Sequence, residues 1–215
     1  MNQALKRKLR KIAEERQTKT DPSHDFQHIL RVLNMAEKIG MSVKADLDVV
    51  IPAALFHDTV VYKKDSQKSK NETDESAEAV ELILNKIKEY PQQKIQDVKT
   101  CIRQCSFTKG IVPDLLESKV LQDADMLEAT GAISIMRTFS SCGHMNRQFY
   151  EPTDPLCKKG AVPLRSGIDL FFRRLLIVEK RMHTKLGRKI ARQRTVFLEK
   201  FLEQLEKELR ASGII

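Results

Sequence analysis

Apolar residues recur along most of this chain at helical rather than strand spacing. Ile29, Val32, Leu33, Ala36 and Ile39 fall on one side of a helix over 26–39, and Gly40 is placed to end it. Residues 5–16 are charged and weakly amphipathic. Residues 48–58 contain the run Val49-Val50-Ile51-Pro52-Ala53-Ala54-Leu55-Phe56 and predict a central, buried helix. Asp74 is placed to cap a helix running to Tyr90, stopped by Pro91, and a further helix covers 92–105. Asp114, after Pro113, opens a helix that Gly131 closes, and 132–140 continues as another. Between 143 and 165 the texture changes. Pro152, Pro155 and Pro163 fall here, three of the seven prolines, and predict a long loop that also carries Arg147, Lys158, Lys159 and Arg165. Such loops are uncommon in compact domains and often functional. Ser166 is placed to cap a helix through Met182, Gly187 interrupts weakly, and a final helix reaches about residue 209. Neither strand alternation of convincing length nor an internal repeat is present. The pattern predicts an all-α fold: one helical bundle-like domain with a C-terminal helical extension.

Composition narrows the function classes. The 215 residues suffice for one large domain, and 41% of them are hydrophobic, enough for a core. No stretch of about 18 uncharged apolar residues occurs, so no membrane-spanning helix is expected. Residues 1–19 are charged and lack the apolar centre of a signal peptide, which makes the cytoplasm the expected location. Cys101, Cys105, Cys142 and Cys157 match no CxxC pattern, which argues against a zinc ribbon, and they read as small buried hydrophobes. The net charge of +9 is uneven: residues 158–194 hold twelve basic side chains against Asp169 and Glu179. Such a surface attracts anions such as nucleotides, nucleic acid or acidic lipid, but no RNA- or DNA-binding motif accompanies it.

The dipeptide His57-Asp58 closes the most apolar run of the chain, a poor place for polar groups without partners. His28 heads the amphipathic stretch after 26, and Asp123 and Asp125 lie inside another. Two imidazoles and two carboxylates suit a divalent ion of mixed preference: Mn²⁺, Fe²⁺, Co²⁺, Ni²⁺ or Zn²⁺, with Mg²⁺ also possible. Residues two apart on a helix point about 200° apart, so only one of Asp123 and Asp125 can face a given ion.

These motifs carry a resemblance. Ser23-His24-Asp25-Phe26-Gln27-His28-Ile29-Leu30-Arg31-Val32, Ala53-Ala54-Leu55-Phe56-His57-Asp58 and Leu121-Gln122-Asp123-Ala124-Asp125-Met126-Leu127-Glu128 are similar to the ligand helices of the HD-domain superfamily of metal-dependent phosphohydrolases. The stretch 171–208, with Arg181-Met182-His183-Thr184 and Gly187-Arg188, resembles the ends of its small bacterial members of the YedJ/YpgQ type. The resemblance implies a single HD domain over 1–215, with a core at about 20–142, a loop at 143–165 and C-terminal helices at 166–211 packing on the core. It implies His28, His57, Asp58 and Asp125 as ligands of one divalent metal ion, with the ligand after Ala124 chosen over Asp123. Asp123 then lies at the surface or behind the ligands, and Glu128 shares the face of Asp125. Asp58, Glu72 and Glu75 are the candidate catalytic groups. Glu72 and Glu75 belong to an Asn-Glu…Ser-Ala stretch that resembles another branch of the superfamily, since Val61 and Tyr62 stand where some nucleotide hydrolases place an acid. His24, Arg31, Lys63, Lys64, Arg137 and Arg147 are the candidates to meet substrate. The implied activity is hydrolysis of a nucleotide or other small phosphate ester by attack of water activated on the metal, with nucleoside triphosphate cleaved to monophosphate and pyrophosphate as the sharpest form. The alternative is a non-catalytic nucleotide- or RNA-binding sensor that keeps the metal site.

Overall fold

Pro52 stands in the middle of the most buried helix of the molecule and shows how its parts are joined. A proline has no N–H to give to the carbonyl four residues back, here that of Asp48. The hydroxyl of buried Tyr90 donates to that carbonyl instead, at 2.9 Å. Burial of the ring pushes the Tyr90 hydroxyl pKa up, and the nearby Asp48 charge adds to it. A defect inside one helix is thus repaired by a residue far along the chain. The computed structural model describes residues 1–16, 25–62, 66–161 and 163–215. Among them the secondary structure is helical apart from two isolated β-bridges, so the chain is all-α. The chain divides into two compact units, 1–125 and 126–215.

In the first unit α1 (Gln3–Arg16) buries Leu5, Leu9 and Ala13, one residue per turn. α2 (Phe26–Val43) starts at the cap Asp25, whose carboxylate accepts the N–H of His28 at 2.8 Å. It does not stop at Gly40 as expected. Gly40 instead gives room, since a Cβ there would lie 3.1 Å from Leu47 Cδ2, and the helix ends at Lys44 in the left-handed conformation. α3 (Leu47–Phe56) is buried at every residue from Val49 to Phe56 and packs against α1, α2, α4 and α5. α4 spans Glu72–Leu84, shorter than the expected 74–90. It opens two residues earlier with three acids in its first turn, which suits the positive end of the helix dipole. α5 (Ile95–Gln104) follows a short 3₁₀ turn, and α6 (Leu116–Met126) closes the unit.

In the second unit α7 (Ala132–His144) runs on into the segment expected to be loop. The turns that follow it are tied to the next helix: Gly167 N donates to Gln148 O and Ile168 N to Phe149 O, both at 2.9 Å. The expected helix 166–182 is broken into α8 (Gly167–Leu170), a π-helical turn at Phe171–Leu175, and α9 (Val178–Arg181). Ser166 does cap it, and Asp169 completes a capping box. Although burial pushes the Asp169 carboxyl up, N–H groups of Arg165 and Ser166 hold it below the usual carboxylate range. α10 (Lys185–Ala211) begins at Thr184, which accepts the N–H of Gly187, so Gly187 lies inside the first turn rather than interrupting the helix. Phe171 stacks on Phe201 of α10 with ring centroids 5.5 Å apart.

Gly131, between the 3₁₀ turn Leu127–Ala129 and α7, has φ +82° and ψ −163°, a region open only to glycine. A Cβ there would also meet Arg194 Cβ and Cγ at 3.1 Å, while the Arg194 guanidinium reaches Leu127 O at 2.5 Å. Gly131→Ala is therefore expected to destabilise the protein by about 1–3 kcal/mol. Thermal unfolding checks it, and an unchanged Tm would contradict this account of the turn.

Candidate metal centre

Three helix ends of the first unit bring four side chains together. His28 comes from the first turn of α2, His57 is the C-terminal cap of α3, Asp58 follows it in the turn, and Asp125 lies in the last turn of α6. His28 Nε2 is 3.5 Å from Asp58 Oδ2 and 3.6 Å from Asp125 Oδ1. His57 Nε2 is 3.6 Å from the same Asp58 oxygen and 3.9 Å from the same Asp125 oxygen. The imidazoles meet edge to face, with centroids 5.5 Å apart.

The donor set fits a divalent metal ion. Two donors each about 2.1 Å from one ion can be at most about 4.2 Å apart, and the four imidazole–carboxylate separations meet that bound. His28, His57 and Asp125 each offer a ligand atom, and these three atoms lie within 4.8 Å of one another. His57 Nδ1 lies 2.9 Å from Ala54 O. A carbonyl only accepts, so Nδ1 carries the proton and Nε2 presents its lone pair. That Nε2 is buried and has no hydrogen-bond partner among the described residues, an arrangement a cation would relieve. Both imidazoles are buried, whereas the Asp58 and Asp125 side chains are 26% and 28% exposed. The cluster is thus walled by the histidines and open at the carboxylates.

A second set of contacts holds the turn that follows Asp58. Glu72, Glu75 and Ser76 stand at i, i+3 and i+4 on one face of α4. Glu72 accepts the N–H of Tyr62 at 2.6 Å, Glu75 accepts the Tyr62 hydroxyl at 2.6 Å, and Ser76 accepts the N–H of Val60 at 3.1 Å. Burial raises the Glu72 pKa, and the negative charges of Asp58 and Glu75 add to that, while the Tyr62 N–H and Lys109 work against it. The Tyr62 hydroxyl is likewise pushed up, first by its bond to Glu75. Burial pushes the Cys105 thiol well up, and the charges of Asp125 and Asp58 reinforce it. Sequence reasoning gave no role to Tyr62 or Ser76. The i, i+3, i+4 spacing on α4 was visible there, but not what it would hold.

The remaining expected residues fall elsewhere. Arg31 is half-buried, one turn on from His28. Asp123 is fully buried rather than at the surface, because α6 turns it into the interior about 200° from Asp125. Glu128 and Arg137 belong to the second unit, where Glu128 is buried and its carboxylate lies 3.8 Å from the Arg137 guanidinium. Arg147 follows α7 in the same unit, with its N–H on Cys142 O at 2.8 Å. His24, Lys63 and Lys64 lie outside the described residues.

The chain is similar to known proteins in sequence and in fold. Residues 25–130 match the family model of the HD domain. The uncharacterized protein YpgQ of Bacillus subtilis is 31% identical over 196 residues, which cover 88% of this chain and 87% of YpgQ. The crystal structure of Bacillus subtilis YpgQ in complex with ADP has a TM-score of 0.72 at 27% identity, covering 95% of both chains. An HD-superfamily hydrolase from Bacillus thuringiensis gives a TM-score of 0.71 at 28% identity, covering 97% of this chain and 98% of that one. No helix among the described residues is long and apolar enough to cross a membrane. With its His-Asp motif at the end of a buried helix and this likeness along nearly its whole length, the chain belongs to the HD-domain superfamily.

Proposed function

We propose that this protein is a metal-dependent phosphohydrolase acting on a nucleotide, with His28, His57, Asp58 and Asp125 as ligands of one divalent ion. The observation that carries the reading is the convergence of two imidazole nitrogens and two carboxylate oxygens at 3.5–3.9 Å. A bound divalent ion supplies Lewis acidity toward a phosphoryl oxygen and lowers the pKa of a water molecule beside it. The mixed nitrogen and oxygen donors suit Mn²⁺, Fe²⁺, Co²⁺, Ni²⁺ or Zn²⁺, with Mg²⁺ also compatible.

The protein's own groups orient and move protons. Ala54 O holds the His57 ring in one tautomer, and the helix cap at Asp25 fixes the start of α2 below His28. The exposed side of Asp58 and Asp125 is where a phosphate can approach. Glu72, held on the Tyr62 N–H in the turn that follows Asp58 and with its pKa pushed up by burial, is the group suited to move a proton at the reacting phosphate. Glu75 acts through Tyr62, as a positioning residue.

A nucleotide is the favoured substrate class because ADP is bound in the YpgQ structure. Cleavage of a nucleoside triphosphate to monophosphate and pyrophosphate is the sharpest form of the reading. Release of phosphate and pyrophosphate should be measured over a panel of nucleotides with Mn²⁺, Mg²⁺, Co²⁺ and Ni²⁺. The expected result is metal-dependent release that a chelator stops. Nucleotide binding without any release would favour the sensor reading, and neither binding nor release would overturn both.

A further inference from the structure

Asp58 and Asp125 stand partly exposed at the metal centre, and Glu72 and Glu75 hold Tyr62 in the turn that follows Asp58, so a polyphosphate entering there meets carboxylate charge. A divalent ion offsets part of it, and a further cation is needed for a second phosphate. Lys109 supplies one. It ends the 3₁₀ turn Phe107–Lys109, which is closed by Gly110 in the left-handed conformation. Its ammonium donates to Thr73 Oγ1 at 2.5 Å and lies 3.8 Å from Asp74 Oδ2. Thr73 is buried and immediately follows Glu72 at the start of α4. The Lys109 side chain is therefore held at the start of α4 by a buried partner, yet stays 25% exposed. Glu72, at that same helix start, accepts the N–H of Tyr62, four residues on from Asp58, so Lys109 and the turn that follows the metal centre meet the same end of α4. An ammonium carries three N–H donors and Thr73 takes one, which leaves capacity for an anion.

We propose that Lys109 is a substrate-binding residue that grips the phosphate of a nucleoside di- or triphosphate lying beyond the one at the metal. This rests on the nucleotide reading given above. It predicts selectivity by phosphate count: a monophosphate engages the metal centre alone, and a diphosphate also engages Lys109. Lys109→Met keeps the aliphatic stem and removes the charge, whereas Lys109→Arg keeps the charge.

Calorimetric titration of the Mn²⁺-loaded protein with ADP, AMP and adenosine tests it. Lys109→Met is expected to weaken ADP about tenfold or more, the scale of a lost charge-assisted hydrogen bond, and AMP about threefold or less. Lys109→Arg should bind ADP within about threefold of wild type, and Mn²⁺ content should stay unchanged in both variants. Wild-type binding of ADP with equal affinity in Lys109→Met would overturn the assignment. An equal loss for ADP, AMP and adenosine would give Lys109 a structural role and overturn it as well. Failure of the wild-type protein itself to bind ADP would instead overturn the nucleotide reading on which the assignment rests.

Discussion

Replacing His57 or Asp58 by alanine is expected to abolish metal binding and with it turnover. Their donor atoms are 3.6 Å apart, and each supplies one of the four atoms that converge at the centre. Changes behind a ligand already cost about 10–100-fold in metal affinity, and loss of a ligand should cost at least about 100-fold. A metal ion contributes several kcal/mol to a phosphoryl-transfer transition state. Since about 1.4 kcal/mol is tenfold in rate, turnover should fall by about 10³ or more. His57→Ala has a further effect, because it also removes the hydrogen bond to Ala54 O at the end of α3. Asp58→Asn is the cleaner variant: it keeps the shape and removes the charge. Elemental analysis and thermal shift with added Mn²⁺ read the outcome. Wild type should hold one ion per chain and gain stability on metal addition, and the variants should do neither. Full metal occupancy in the variants would remove these residues from the ligand set.

The second large effect separates Asp125 from Asp123. Asp125 Oδ1 faces both imidazoles, and its side chain is 28% exposed. Asp123 is fully buried on another side of α6. Asp125→Asn should therefore lose metal and activity while the metal-free protein unfolds at an unchanged temperature. Asp123→Ala should behave in the opposite way. It strips a buried polar group and leaves neighbouring groups unsatisfied, at a cost of about 1–3 kcal/mol. For a chain of this size that is roughly 2–12 °C in Tm. Metal content of the folded fraction should stay at the wild-type level. Metal loss in both variants, with folding intact by circular dichroism, would show the two carboxylates to be equivalent.

The helical character, the buried run at 49–56 and the candidate metal-binding side chain types were legible in the sequence, whereas the choice of Asp125 over Asp123 came from the family resemblance. The legible features are written in local spacing: apolar residues at 3.6-residue period, a His-Asp pair ending an apolar run, and carboxylates whose helical phase lets only one face a given point. Local spacing could not show where helices end. Gly40 reads as a stop, but the helix continues to Val43, and the missing Cβ leaves room for Leu47 from α3. The helix over 48–58 was expected through Pro52, but not that Tyr90 takes up the freed carbonyl from 42 positions away. The helix expected from 166 to 182 is broken by a π-helical turn whose Phe171 stacks on Phe201 of α10. Local spacing was equally silent on what Glu72, Glu75 and Lys109 touch. Tyr62 is held by α4 across a turn, and Lys109 meets Thr73 from 36 residues on. The sequence by itself determined which segments are helical and which side chains are chemically suited to a metal. The tertiary structure alone decided which of them meet, because hydrogen bonds and packing between distant residues depend on position in space and leave no periodic trace along the chain.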